Sequence, residues 1–141
     1  MVENPFIHVR SPKFPILPGE DEELVNEGMY GKAFAQYLQA RLIERGYKVP
    51  SICCEDWGWW VGIKGQPFEL GLMVLAVRKF DGSLDCCVTL SAEPVRAWSW
   101  TRFRFIDRAP RVNALNAELR QIVESDPAIQ VLGYTDGFPF E

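Results

Sequence analysis

The segment Glu55-Asp56-Trp57-Gly58-Trp59-Trp60 marks the point where the sequence changes from helical to strand character. It places two carboxylates, one glycine and three indoles within six residues. A glycine between β-prone residues favours a turn. We therefore predict short strands on either side of it, over residues 51–57 and 59–64, and a second turn at residues 64–67.

The segments that follow predict the rest of a sheet. Residues 68–80 are apolar at both sets of alternate positions, which is typical of a strand covered on both faces in the middle of a sheet. Asp81-Gly82 is a strong signal for a tight hairpin. It leads into a strand over residues 84–92 with these residues facing inward: Leu84, Cys86, Val88 and Leu90.

A further strand is predicted over residues 95–106. One set of its alternate positions is dominated by arginine and tryptophan: Arg96, Trp98, Trp100, Arg102 and Arg104. Guanidinium groups stack on indole faces, so this row could form a cation–π ladder. It could serve as a rigid covered surface, as an anion-binding groove or as the anchor of a protein interface.

Two helices flank these strands. The first begins between residues 22 and 29 and ends at Gly46, with aromatic and aliphatic residues on one side: Tyr30, Ala33, Phe34, Tyr37, Leu38 and Leu42. The second has Asp107 as its N-cap, Pro110 in its first turn and a stop at Asp126-Pro127.

An extended arm and a surface tail are predicted at the two ends of the chain. Four prolines in residues 1–19 indicate an extended arm with a short edge strand over residues 14–17. The acidic run of residues 20–23 suits a helix N-terminus or a solvated surface, and the solvated surface is favoured. A short strand over residues 129–132 is followed by a surface tail over residues 133–141.

Together these segments predict one domain over residues 1–141 with an α+β fold. Strands in series between two helices favour a two-layer sandwich, in which a mostly antiparallel meander of four to five strands carries both helices on one face.

Charge and composition restrict the classes of partner. The net charge of −4 weighs against nucleic-acid binding, which needs a basic surface, and is compatible with a basic protein partner. The longest apolar run, residues 70–77, is shorter than the roughly 20 residues of a membrane span. The N-terminal residues lack the apolar stretch of a secretory signal, so we expect a cytoplasmic protein without a membrane partner.

The four cysteines occur as two adjacent pairs, Cys53-Cys54 and Cys86-Cys87, without the spacing typical of metal sites. We predict reduced cysteines that pack as small apolar residues, and neither a metal nor a cofactor. The alternatives are a zinc site shared by the two pairs and a redox pair of Cys54 with Cys86. The single histidine, His8, is interpreted as an ordinary surface residue.

Glu55 and Asp56 are the candidate catalytic residues, because an apolar wall can raise the pKa of a carboxyl group and make it a general acid. The favoured interpretation is structural: one carboxylate caps a turn and the other pairs with an arginine on the neighbouring strand, so that neither is catalytic. The sequence contains no dinucleotide-binding, P-loop, serine-hydrolase or zinc-protease motif.

The block of residues 30–60, a helix ending at Gly46 followed by a strand and Glu55-Asp56-Trp57-Gly58-Trp59, resembles a group of small uncharacterised bacterial proteins with a helix followed by an E-D-W-G-W signature. The resemblance covers roughly a quarter of the chain. It implies a stand-alone cytoplasmic α+β domain and carries no activity. Some small acidic bacterial proteins of this build are immunity proteins, which neutralise a toxin by binding it.

The leading hypothesis is therefore a non-catalytic binding module, in its most specific form an immunity-type protein. Its predicted binding residues come from the bend and from the arginine–tryptophan row: Glu55, Asp56, Trp57, Trp59, Trp60, Arg96, Trp98, Trp100, Arg102 and Arg104. The competing hypothesis is a small-molecule or hydrolytic site in a tryptophan-lined cleft, with Glu55 or Asp56 as acid or base. A third alternative places every indole in the core.

Overall fold

The structure, a computed structural model, describes residues 4–66, 68–79, 81, 83–91, 96–99, 104–107 and 109–137, with only the backbone described in 96–99 and 104–107. Its elements in chain order are β1 (Phe6–Arg10), α1 (Glu20–Glu23), α2 (Lys32–Glu44), β2 (Ile52–Glu55), β3 (Gly58–Ile63), β4 (Leu70–Arg78), β5 (Leu84–Ser91), β6 (Arg96–Ser99), β7 (Arg104–Asp107), α3 (Ala109–Ser125) and β8 (Gln130–Thr135).

Six of the strands form one antiparallel sheet in the order β2-β3-β4-β5-β1-β8. The four strands β2 to β5 follow one another as a meander, as predicted, and the first and last strands of the chain complete the sheet. The α+β class is therefore confirmed, although the sheet has more strands than expected and a third, one-turn helix, α1, is present.

The core lies between the sheet and the two longer helices. Side chains at alternate positions of the strands, including Val61, Leu72, Val74 and Val88, form one buried cluster with apolar residues of α2 and α3: Phe34, Ala35, Leu38, Leu42, Leu115, Leu119, Ile122 and Val123. The opposite set of β4 is also partly covered, since Leu75 is only 7% exposed. This explains why β4 has no polar face.

β1 lies inside the sheet, between β5 and β8, where Ile7 is opposite both Val88 and Tyr134. The predicted arm is therefore wrong for Phe6–Arg10, and the strand expected over residues 14–17 is not formed. The reason is visible in the sequence, because Pro5 and Pro12 lie on either side of the strand and leave its backbone N–H groups free to pair.

β8 confirms part of the prediction for the other end of the chain, because it overlaps the strand expected over residues 129–132. The strand runs through Gln130–Thr135, so residues 133–135, expected in a surface tail, belong to the sheet. Val131 and Tyr134 pack against the core cluster. Of the predicted tail, residues 138–141 lie outside the described residues.

The strand predicted over residues 95–106 is instead two strands. β6 and β7 form a separate two-stranded antiparallel sheet, in which Arg96 is opposite Asp107 and Ser99 is opposite Arg104. Residues 100–103, which connect the two strands, lie outside the described residues. The single long strand is therefore wrong, and Asp107 ends β7 instead of capping the following helix.

The acidic run forms α1, and its first residue is not solvated. Glu20 is fully buried and accepts hydrogen bonds from the backbone N–H groups of Leu17 (3.0 Å), Gly31 (3.1 Å) and Lys32 (3.1 Å). Two of these donors belong to the N-terminus of α2, where a carboxylate also complements the helix dipole. The solvated interpretation is therefore wrong for Glu20.

α2 and α3 differ slightly from their predicted ranges. α2 begins only at Lys32, because Tyr30 is bridged to Ala76 and Gly31 has a φ of 136°. Gly46, with a φ of 93°, follows its end as predicted, and α3 ends before Asp126-Pro127 as predicted. In the described part of the chain, every helix is too short or too polar to cross a membrane.

Candidate functional site

The β2–β3 hairpin contains the segment of residues 55–60, and its turn lies at one end of the sheet. Glu55 is opposite Gly58, so Asp56 and Trp57 form the turn. Asp56 and Trp57 both have a negative φ. The positive φ of this turn is that of Gly58, at 144°. A Cβ atom on Gly58 would also lie 2.4 Å from the carbonyl oxygen of Val74. Glycine is therefore required here by backbone conformation and by the close approach to β4.

The three indoles of the hairpin separate onto two faces. Trp59 is 3% exposed and belongs to the core cluster beneath α2, where Lys32 Nζ lies 5.6 Å from the ring centroid. Trp57 and Trp60 are half-buried and contact each other edge-to-face, with centroids 6.3 Å apart at an interplanar angle of 84°. Trp59 therefore cannot contact a partner, whereas Trp57 and Trp60 can.

Trp60 lies over two glycines on the face of the sheet opposite α2 and α3. Gly62 and Gly71 are cross-strand partners. A Cβ atom on Gly71 would lie 2.3 Å from the indole, and one on Gly62 would lie 3.0 Å from its Nε1 atom. Glycine inside a strand weakens it and often marks a close approach. Here the two glycines make room for the Trp60 ring to lie against the sheet.

The two candidate catalytic carboxylates are exposed. Glu55 Oε1 accepts a hydrogen bond from Cys53 Sγ at 3.4 Å, and the Asp56 backbone carbonyl accepts one from Asn26 Nδ2 at 2.5 Å. Neither carboxylate forms an ion pair with a cation of the described residues. Neither carboxylate lines the cavities beside Tyr37, Tyr47 or Trp60.

One further acidic residue lies next to the loop residue that contacts this turn. Residues 14–31 contain no lysine or arginine, and the loop after α1 reaches the turn through the bond from Asn26 to Asp56. Beside Asn26, Glu27 is exposed and Val25 is 59% exposed. We call this the acidic–aromatic surface, and its residues are Val25, Glu27, Glu55, Asp56, Trp57 and Trp60.

The arginine–tryptophan row does not have the predicted geometry. Positions 96 and 98 lie in β6 and position 104 in β7, while Trp100 and Arg102 lie outside the described residues. Antiparallel partners share a face. Since position 98 is opposite 105, and position 104 is opposite 99, positions 98 and 104 fall on opposite faces of the hairpin. Whether Arg96, Trp98 or Arg104 adjoins the acidic–aromatic surface stays a prediction.

The four cysteines are free thiols. Burial raises the pKa of Cys86 and of Cys87 to about 12, so neither is a nucleophile at neutral pH. The proposed redox pair is excluded, because Cys54 lies in β2 and Cys86 in β5, with two strands between them. Three strand spacings, roughly 14 Å, exceed the reach of a disulfide. Among the described residues, no three potential ligands lie close enough to hold a metal ion.

Sequence reasoning missed an ionic cluster on the same sheet face as Trp60. The Asp85 side chain is 4% exposed and accepts a hydrogen bond from Arg10 Nε at 2.6 Å, with His8 Nε2 at 3.7 Å and Lys79 Nζ at 3.6 Å. Burial opposes ionisation of Asp85, but the bond and charge of Arg10 lower its pKa on balance. Burial also lowers the pKa of His8, which is not the ordinary surface residue expected.

The alternation in residues 84–92 correctly predicts that Asp85 lies on the sheet face opposite the one that carries Leu84, Cys86 and Val88. Its partners could not be identified, because His8 and Arg10 reach it only through the pairing of β1 with β5.

Comparison with protein families, curated proteins and solved structures found no match to this chain.

Proposed function

We propose that this chain is a non-catalytic binding domain whose acidic–aromatic surface binds a basic protein partner. The observation that carries the proposal is the exposed turn, where half-buried Trp57 and Trp60 adjoin carboxylates without a cation partner among the described residues. Tryptophan is enriched among residues that dominate interface energies, and a polar rim around it is typical of interfaces.

The geometry of the turn supports this role in two further ways. Gly58 and the Asn26 bond fix the turn before a partner arrives, so less conformational freedom is lost on binding. Carboxylates around the indoles attract a positively charged partner and accelerate its association. The overall charge of −4 acts in the same direction.

In its most specific form the proposal is an immunity-type role, in which the chain binds a toxin and blocks it. The size, acidic charge and α+β build agree with that role, as does the resemblance of residues 30–60. Co-expression with the captured partner tests it, because growth inhibition by the partner should be relieved by the wild-type chain and not by a binding-deficient variant.

The hydrolytic alternative has less support. A general acid needs a pocket that excludes water and a second polar group within reach. Glu55 and Asp56 instead lie on an exposed turn, outside the cavities beside Tyr37, Tyr47 and Trp60.

The test compares the wild-type chain with Trp57→Ala and with the double variant Glu55→Gln/Asp56→Asn as immobilised baits. The matched control is Glu44→Gln/Glu124→Gln, which removes the same charge from exposed positions in α2 and α3. We expect a basic protein that the wild type and the control retain. Its affinity for Trp57→Ala should fall by roughly thirtyfold, the effect of about 2 kcal/mol typical of an interface anchor.

Equal capture by all four baits would contradict the proposal, as would a retained partner that is acidic. Circular dichroism of each bait ensures that a loss of binding does not reflect unfolding.

A further inference from the structure

Several aromatic rings of this chain are contacted by the side-chain cation of a lysine or arginine in the same chain. Lys13 Nζ lies 5.3 Å from the Tyr37 centroid, and Arg120 lies 4.1 Å from that of Tyr134. Similar contacts join Lys32 to Trp59 and Arg78 to Tyr30. In the part of the chain that the structure describes, no such cation lies over Trp57 or Trp60.

The Trp60 ring is packed against its neighbours without a ligand. One side of the indole lies against Gly62 and Gly71, and Trp57 packs against it at 84°. The ring is nevertheless partly exposed. Its remaining face therefore offers a preorganised aromatic platform on the sheet.

A shallow cavity of about 400 Å³ adjoins this platform, and its lining includes Trp60, Lys64, Gln66, Phe68 and Glu69. Glu69 is exposed and forms no ion pair with a described residue. The amide oxygen of Gln66 already accepts a hydrogen bond from Arg111 Nη1 at 2.5 Å. The cavity thus combines an aromatic face with an open carboxylate, and Lys64 is the one lysine among its lining residues.

We infer that this cavity binds an arginine side chain of the basic partner, with the guanidinium stacked on Trp60 and paired with Glu69. The inference rests on the proposed function and specifies its chemistry. A planar guanidinium stacks on an aromatic face and donates two parallel hydrogen bonds to a carboxylate, whereas an ammonium group does neither as well. Lys64 opposes the bound cation, which makes it a useful test residue.

The test titrates N-acetylarginine amide into the ¹⁵N-labelled full chain and follows the indole N–H signals, which are assigned by Trp→Phe variants. We expect the Trp60 and Trp57 signals to shift with arginine and to shift less with N-acetyllysine amide. The signal of Trp59, sealed in the core, is the internal control and should stay unchanged. Inorganic phosphate, the anionic probe, should not shift Trp60.

Side-chain variants make the test specific. Glu69→Gln should weaken arginine binding by roughly two- to fivefold, and Lys64→Ala should strengthen it by a similar factor. Lys48→Ala is the matched control, because Lys48 is bridged to Lys64 on the neighbouring segment but does not line this cavity. It should leave the affinity within experimental error.

The substitution Gly71→Ala should displace the Trp60 ring from the sheet without removing it. The added Cβ meets the far end of the Trp60 ring, which can rotate away, so the domain should stay folded. Loss of the arginine-induced shift in this variant would support stacking, and an unchanged shift would contradict it.

A Trp60 signal that does not respond to arginine would overturn the inference. A response to phosphate that Lys64→Ala abolishes would also overturn it. Such a failure is distinguishable from failure of the proposed function: partner capture that depends on Glu55 and Asp56 but not on Trp60 would overturn only the arginine site. If arginine binds at Trp60 but no basic protein is captured, the arginine site is supported and the proposed function is contradicted.

Discussion

Glu20 shows how one buried carboxylate can organise three segments of a small domain. Its oxygens accept N–H groups from Leu17, before α1, and from Gly31 and Lys32, at the start of α2. Hydrogen bonds to a charged acceptor are stronger than neutral ones, and buried donors without a partner are costly. The sequence could not separate Glu20 from its acidic neighbours, because its burial depends on the fold of the loop between α1 and α2.

We expect Glu20→Ala to lower the free energy of unfolding by about 3 kcal/mol, since three backbone donors would lose their acceptor. Glu22→Ala, at an exposed position of the same helix, should change it by less than about 0.5 kcal/mol. Urea unfolding followed by circular dichroism measures both values. Similar values for the two variants would show that the Glu20 hydrogen bonds contribute little.

The cysteines should differ in reactivity although they occur as two similar pairs. Cys86 and Cys87 are buried with pKa values raised to about 12, whereas Cys53 is exposed, although desolvation and its bond to Glu55 also raise its pKa. We expect a thiol reagent at pH 8 to modify Cys53 in the native protein and to reach Cys86 and Cys87 only on unfolding. Peptide mapping by mass spectrometry identifies the modified residues. Native labelling of Cys86 at the rate of Cys53 would contradict the packing described for β5.

At the scale of the element, the β2–β3 hairpin depends on Gly58. An alanine there would adopt an unfavourable φ and would place its Cβ 2.4 Å from the Val74 carbonyl oxygen, which belongs to a rigid strand. We expect Gly58→Ala to destabilise the domain by about 2–4 kcal/mol.

The matched control is Gly133→Ala in β8, where an added Cβ meets no atom within 4 Å. It should be neutral or slightly stabilising, because alanine restricts the unfolded chain. Thermal unfolding of both variants provides the comparison. A neutral Gly58→Ala variant would show that the hairpin does not approach β4 as closely as described.

The contact that joins α2 to the turn after α3 predicts a pH dependence. Asp126 accepts hydrogen bonds from Lys13 Nζ (2.7 Å), the Ala128 N–H (2.9 Å) and the Tyr37 hydroxyl (2.9 Å). These bonds, with Lys13 the main contributor, lower the pKa of Asp126 to about 2. Burial and the same carboxylate raise the pKa of Tyr37 to about 12.

Because the pKa of Asp126 is lower in the folded state, its contribution to stability is complete above its ordinary value near 4 and is lost as the pH falls towards 2. The stability difference between the wild type and Asp126→Asn should therefore be largest above pH 4 and should shrink below it. Urea unfolding at several pH values between 6 and 2 measures this difference. A difference that grows on acidification would contradict the assignment.

At the scale of the whole molecule, periodicity predicted the part of the fold in which neighbouring strands follow one another. The strands β2 to β5 are separated by turn signals, β4 is a continuous apolar run, and the two long helices have a clear helical repeat of apolar residues. β1 and the second half of β8 are not predicted, because their places in the sheet depend on pairing between the two ends of the chain. The pattern over residues 95–106 predicts one strand in place of β6 and β7, because residues 100–103, Trp-Thr-Arg-Phe, contain none of the usual turn residues.

The candidate site was only partly predictable for a similar reason. Alternation along β3 separates Trp59 from Trp60, but the sequence does not say which ring faces the helices. That assignment required the pairing of β3 with β4, which brings Gly71 beneath Trp60.

The most direct test of the proposed function is the association rate constant of the captured basic partner as a function of salt concentration. We expect association with the wild-type chain to be fast at low salt and to slow steeply as salt is added, because its surface carboxylates steer the partner. The Glu55→Gln/Asp56→Asn variant should associate roughly tenfold more slowly at low salt and show a shallower salt dependence. Identical rates and slopes for the wild type and this variant would contradict recognition through the acidic–aromatic surface.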